Sequence, residues 1–411
     1  VLASLNTQQR SLCRKFILYK FLSSLFFIHV IWFHFYRRFI TDQQIGILDG
    51  IAFAIGLCVE IPSGILADSY GRAKMVKLGH ALAATGFAVQ AFGNTFIELA
   101  IGQSVAMIGA SCVSGAADAL FFTKLKFESS SLHWRKLAIK SGQVVLIAQL
   151  ASTIVGTILY GVDPRLPWIV SSIAFLGAAY IVWDVEEDDD QIVTQERLPL
   201  SDSLTRHLRT LRSGFFEFQS LALRRYVPII ITIEGIFYAS EWGLLKLVLL
   251  DRFGFSPFWG GIVVSASVVA TIGLLEIIHR FNHSISQRKI IILTALMTVI
   301  ALVASIASLG YWGFFVIVAL GCGHLVHPYV SDAVNSACDE SARATVLSVA
   351  SFLRTLPYIG LAPLIGFLNN KGLLSIFLVG WSALTILALI FFLWDETSQK
   401  RRNRISGSLT S

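Results

Sequence analysis

Apolar residues run in long blocks along this chain, with short polar segments between them. Twelve blocks approach the roughly 20 residues that a helix needs to cross the hydrocarbon core of a bilayer: 16–36, 45–66, 75–93, 97–121, 138–160, 167–183, 227–250, 257–278, 289–308, 312–332, 345–368 and 373–394. They are continuous runs without the in-and-out alternation over about ten residues that marks an outer-membrane strand. The pattern therefore predicts an all-α membrane protein with twelve transmembrane helices.

One polar interruption divides the blocks six and six. Over 184–226 the chain carries an acidic cluster, Glu186, Glu187, Asp188, Asp189 and Asp190, and then the basic stretch LTRHLRTLRSGFFEF. In that stretch Leu204, Leu208, Leu211 and Phe215 fall on one helical face, the spacing of an amphipathic helix lying on an anionic leaflet. The expected domains are a six-helix bundle over 1–183, a linker with this helix over 184–226, a second six-helix bundle over 227–397 and a tail over 398–411.

Composition agrees with the blocks. Hydrophobic residues are 55% of the chain and charged residues 14%, against about a quarter charged in a soluble domain. The net charge of +7 is a matter of topology. With a cytoplasmic amino-terminus most of the 33 Lys and Arg lie inside, and Arg37, Arg165 and Arg252 fall in outer loops, as the positive-inside rule requires. Both termini are expected in the cytoplasm, with no cleavable signal peptide and no nucleic-acid partner. Cys13, Cys58, Cys112, Cys322 and Cys338 show no paired extracellular spacing and are expected as free thiols.

The segment GILADSYGR stands between the second and third blocks and places Gly64, Asp68, Gly71 and Arg72 in a cytoplasmic turn. Together with the six-plus-six organisation, EIPSGILADSYGRAK, SGAADAL and RATVLSVASFLRTLPYIGLAPLIG, this resembles the major facilitator superfamily of secondary transporters, in a bacterial branch rich in drug and metabolite exporters. The resemblance implies a conformational gate. Gly64 would allow close helix approach, Gly71 a tight turn, and Asp68 would face the start of span eleven near Arg343. Arg72 would pair with Asp118 at the end of span four. Two departures weaken proton-driven drug export: the arginine that such antiporters carry in span four is Gln103 here, and span five has no proline.

Polar residues within the blocks are the candidate substrate and proton sites, because an ionisable group in hydrocarbon is costly and is therefore functional or paired. Glu234, Tyr238 and Glu241 share one face of span seven, Arg354 lies near the middle of span eleven, and span one offers His29 and Trp32. Glu241 is the leading candidate for proton coupling, with neutralisation by Arg354 as its structural alternative. His324 and His327 are three apart beside Cys322, but no carboxylate completes a site, so no metal is expected.

No phosphate-binding loop, H-E-x-x-H or G-x-S-x-G motif occurs. The chain is expected to be neither an enzyme nor cofactor-dependent, and its partners are a small molecule, protons and membrane lipids. The sequence reading is a monomeric carrier of the cytoplasmic (inner) membrane, exporting an amphipathic or cationic compound by proton exchange. Import of a nutrient or metabolite is the alternative, and a non-pumping receptor or lipid-handling protein is the reading from another class.

Overall fold

The structure is a computed structural model that describes residues 7–124, 131–185, 223–281, 286–337 and 343–409, with positions 205, 209, 212, 215, 216, 218 and 220 between them. The acidic cluster at 186–190, Leu204, Leu208, Leu211 and Cys338 lie outside the described residues, as do the side chains of His324 and Arg343. Among the described residues every regular element is helical. Eight stretches are long and apolar enough to cross a membrane: Asp42–Tyr70, Phe96–Lys124, Lys136–Val162, Pro257–Leu274, Gln287–Ala304, Gly310–Val334, Val346–Asn370 and Leu374–Ser398.

The other four apolar blocks fall short for local reasons. The first is split, with α1 (Thr7–Ser23) and α2 (Trp32–Tyr36) separated by an irregular segment. The third lies in α4 (Arg72–Phe92), which carries Lys77, His80 and Gln90. The sixth, α8 (Leu166–Ile181), has only 16 residues. The seventh is broken twice. Between them run α3 (Asp42–Tyr70), α5 (Phe96–Val113), α6 (Ala116–Lys124) and α7 (Ser131–Val162).

Contacts divide the chain into two compact units. One is Val1–Ile40 with Ile51–Thr205, and the other is Thr41–Gly50 with Arg206–Ser411. The first turns of α3 thus belong with the second unit. In the first unit, the break after α1 frees backbone donors that hydrocarbon cannot satisfy. Hydroxyls from neighbouring helices accept them: Ser152 Oγ lies 3.2 Å from the Phe26 amide and Ser171 Oγ 3.2 Å from that of Phe27. Trp168, Tyr36 and Phe35 stack beside the break and fill the core there.

The second unit begins with α9 (Tyr226–Ile229), a π-turn over Ile230–Glu234, α10 (Gly235–Glu241) and α11 (Leu244–Arg252). Trp242 and Gly243 separate α10 from α11, and the Tyr358 ring packs where a Cβ on Gly243 would stand, so that only glycine fits there. After these come α12 (Pro257–Phe281), α13 (Gln287–Ala304), α14 (Gly313–Gly321), α15 (Val326–Ala337), α16 (Arg343–Asn370) and α17 (Leu374–Leu409). Arg224 holds the start of the unit to α17, with Nη2 2.5 Å from the carboxylate of the fully buried Asp395. The segment expected as a tail from 398 continues α17 as helix through Leu409.

Candidate functional site

The second unit gathers three of the polar residues that lie within apolar blocks. Glu234 ends the π-turn, a one-residue widening of the helix that recurs at functional sites. Its side chain is 4% exposed, and Oε2 lies 3.1 Å from Nδ1 of His327 on α15. The same Nδ1 lies 3.3 Å from Nη1 of Arg354 on α16, whose Nη2 donates to Ser351 Oγ at 3.2 Å. Glu234 Oε1 and Arg354 Nε are buried without a hydrogen-bond partner among the described residues.

One nitrogen between a carboxylate and a guanidinium cannot serve both at once. Arg354 only donates and carboxylate Glu234 only accepts. When Nδ1 is bare it accepts from Arg354, and when it carries a proton it donates to Glu234 and its N–H opposes that of Arg354. The proton on Nδ1 therefore decides its partner.

The contact between Glu241 and Arg354, the structural alternative for this carboxylate, is replaced by another. Glu241 Oε2 lies 2.9 Å from Nζ of Lys246, across the Trp242–Gly243 break, and the lysine side chain is 4% exposed. Tyr238 packs edge-on against Tyr358, with ring centroids 6.0 Å apart. The Tyr358 hydroxyl accepts from the Leu244 amide at 2.7 Å and donates to the Asp49 carboxylate, which is 1% exposed. Asn369 Nδ2 donates to Asp42 at 2.7 Å on the same helix pair. Sequence reasoning passed over Asp49 and Tyr358, although an aspartate inside an apolar block was a signal for the first. Tyr358→Phe should lower stability by about 1–3 kcal/mol by leaving a buried acceptor unsatisfied, measured by thermal unfolding in detergent. An unchanged midpoint would show that this contact contributes nothing.

In the first unit Gly71 makes the turn between α3 and α4 with φ of 102°, a backbone conformation that a side chain disfavours. Arg72 Nη2 reaches Asp68 at 3.1 Å and Nη1 reaches Thr123 Oγ1 at 3.3 Å. Asp118 is 2.5 Å from Lys20 Nζ, so the expected Arg72–Asp118 pair is replaced here by two others. Gly64 does not mark a close helix contact in this structure, since nothing lies within 4 Å of a Cβ built there. Lys15 donates to Asp184 at 2.5 Å and holds that carboxyl below the usual carboxylate range. Trp32 packs edge-on against Tyr36, with centroids 5.7 Å apart, and His29 lies in the break between α1 and α2. Arg343 opens α16, and His324 lies in a 3-10 turn over Cys322–Leu325.

Comparison with known proteins places this geometry. Residues 16–361 match the family model of the Major Facilitator Superfamily. The inner membrane transport protein YajR of Escherichia coli (strain K12) is 23% identical over 221 residues, which are 52% of this chain and 48% of that protein. The chain thus spans about half the length of the curated relative it matches. Among solved structures, the nucleoside transporter NupG superposes with a TM-score of 0.73 at 10% identity, covering 95% of this chain and 99% of that one. The peptide transporter POT in complex with sulfate gives 0.68 at 11% identity over 98% and 99%. A bacterial homologue of the human lysosomal transporter Spinster gives 0.62 at 14% over 94% and 97%. The likenesses to solved structures concern the fold alone, and the family match over residues 16–361 establishes that the chain belongs to the major facilitator superfamily.

Proposed function

We propose that this transporter is a proton-coupled carrier of a small molecule bearing an anionic group, working by alternating access. The observation that carries the reading is His327 Nδ1 within reach of both Glu234 and Arg354. An imidazole can carry one ring proton or two. Protonation would turn His327 toward Glu234 and release Arg354 for an anion, so that proton and solute bind together and cross together. That is symport, and an inward proton gradient would drive uptake.

Export of an amphipathic or cationic compound is less favoured than uptake, because the acids of span seven that would face such a compound are paired, Glu234 with His327 and Glu241 with Lys246. NupG and POT are described as nucleoside and peptide transporters, and nucleosides, dipeptides and small carboxylates are suitable first probes. The test is a proteoliposome screen of these compounds with a pH dye inside. Uptake of anionic or zwitterionic compounds with acidification of the lumen supports the reading. Uptake of cations, or solute movement without protons, overturns it.

Within this reading the chain spans the cytoplasmic membrane twelve times, acts as a monomer among its lipids, and has both termini and 184–226 inside. The turn built by Asp68, Gly71 and Arg72 is the first unit's part of a cytoplasmic gate, with Gly64 and Asp118 flanking it, and Arg343 at the start of α16 is the candidate on the second unit. Asp68→Asn or Arg72→Ala should leave insertion intact and slow turnover roughly tenfold, since each removes one partner of a contact worth about 1–2 kcal/mol in only one state. Initial uptake rates equal to the parent's would remove the gate assignment.

A further inference from the structure

A groove of about 640 Å³ runs along the first unit between α1 and α7, and the mechanism above makes no use of it. Its lining changes character along both helices in the same direction. On α1 it begins with Cys13 and Arg14 and continues through Ile17 and Leu18 to Phe21. On α7 it begins with Lys136, Leu137 and Lys140 and continues to Val144, so that all three basic residues stand at one end. At about 1.5 Å per residue, seven residues of α1 and eight of α7 cover roughly 10–12 Å. The cationic end of the groove therefore lies a helical turn or two from its apolar end, on both walls.

Arg14, Lys136 and Lys140 are exposed, and none has an ion-pair partner among the described residues. Asp184, which meets α1 at Lys15 next to Arg14, is paired with that lysine at 2.5 Å. Three cations with no ion-pair partner among the described residues, beside an apolar channel, match one class of ligand in a membrane, an anionic headgroup joined to an acyl chain. A soluble anion would leave the apolar part bare, and a zwitterionic lipid would leave the cations without a net countercharge.

We infer that this groove holds an anionic phospholipid of the cytoplasmic leaflet, its phosphate between Arg14, Lys136 and Lys140 and one acyl chain along Ile17, Leu18, Phe21 and Val144. The leaflet follows from the cytoplasmic amino-terminus proposed above, whereas the binding itself does not depend on orientation or on the identity of the transported solute. The site is separate from the Glu234–His327–Arg354 cluster, which belongs to the other unit.

The test is native mass spectrometry and lipid titration on the full chain in mild detergent, with phosphatidylglycerol, phosphatidylcholine and inorganic phosphate as probes. The expected result is one phosphatidylglycerol held in preference to phosphatidylcholine. Binding should weaken on the order of a hundredfold in the triple variant Arg14→Gln, Lys136→Gln, Lys140→Gln, from about 1 kcal/mol for each basic residue near an anionic headgroup. Val144→Trp, which narrows the acyl part and leaves the charges, should also weaken it. Arg280→Gln, an exposed residue of the other unit, should not, and the parent's melting temperature in the triple variant shows that folding is retained. Equal retention of phosphatidylglycerol by parent and triple variant overturns the inference. So does displacement of the lipid by inorganic phosphate at similar concentration, which would make the groove a site for free anions.

Discussion

Glu241→Ala should lower the stability of this transporter by about 3–5 kcal/mol, because it leaves the buried Lys246 ammonium without its partner. A lone charge inside a membrane-spanning unit has neither water nor a counter-ion to replace the lost carboxylate. Replacing both residues, as Glu241→Gln with Lys246→Met, should restore most of the loss, since no uncompensated charge then remains. Thermal unfolding of the three proteins in one detergent measures the difference. A Glu241→Ala midpoint within a degree of the parent's would show that the pair has little structural weight. The double variant also addresses the proton-coupling role first expected of Glu241. If it still accumulates solute against a gradient with the parent's pH dependence, the carboxylate has no part in coupling.

Glu234→Gln and His327→Gln should abolish gradient-driven accumulation while sparing downhill exchange, because each stops His327 from trading a proton-dependent partner. Arg354→Gln should act on affinity, weakening solute binding roughly ten- to a hundredfold, the loss of one charge-assisted contact of about 1.5–3 kcal/mol. Counterflow and pH-driven uptake in the same proteoliposomes separate these effects. His327→Gln with normal accumulation and an unchanged pH profile would exclude the ring from coupling. Counterflow lost in Glu234→Gln as well would assign that carboxylate to the solute.

Much of the architecture was legible before the structure was seen. Continuous apolar runs report burial in lipid whatever their neighbours are, so α3, α7, α12, α13 and α17 lie where the pattern put them. The glycine-bracketed turn was legible for a similar reason, since Gly71 responds to a local backbone demand. Breaks within a block were not. The irregular segment after α1 is as apolar as a helix, and part of its hydrogen bonding comes from Ser152 and Ser171, more than 120 positions away, which accept from the Phe26 and Phe27 amides.

By itself the sequence determined that Glu234, Glu241 and Arg354 are ionisable within apolar blocks and that each needed a partner. Only the tertiary structure decided who the partners are. Glu241 meets Lys246 instead of Arg354, Asp118 meets Lys20 instead of Arg72, and Asp49 meets a tyrosine 309 positions away. Pairing between helices depends on how each is rotated about its axis, and one residue of offset turns a side chain by about 100°. The π-turn at Ile230–Glu234 and the break at Trp242–Gly243 impose such offsets, through hydrogen bonds and ring packing that apolar composition does not encode.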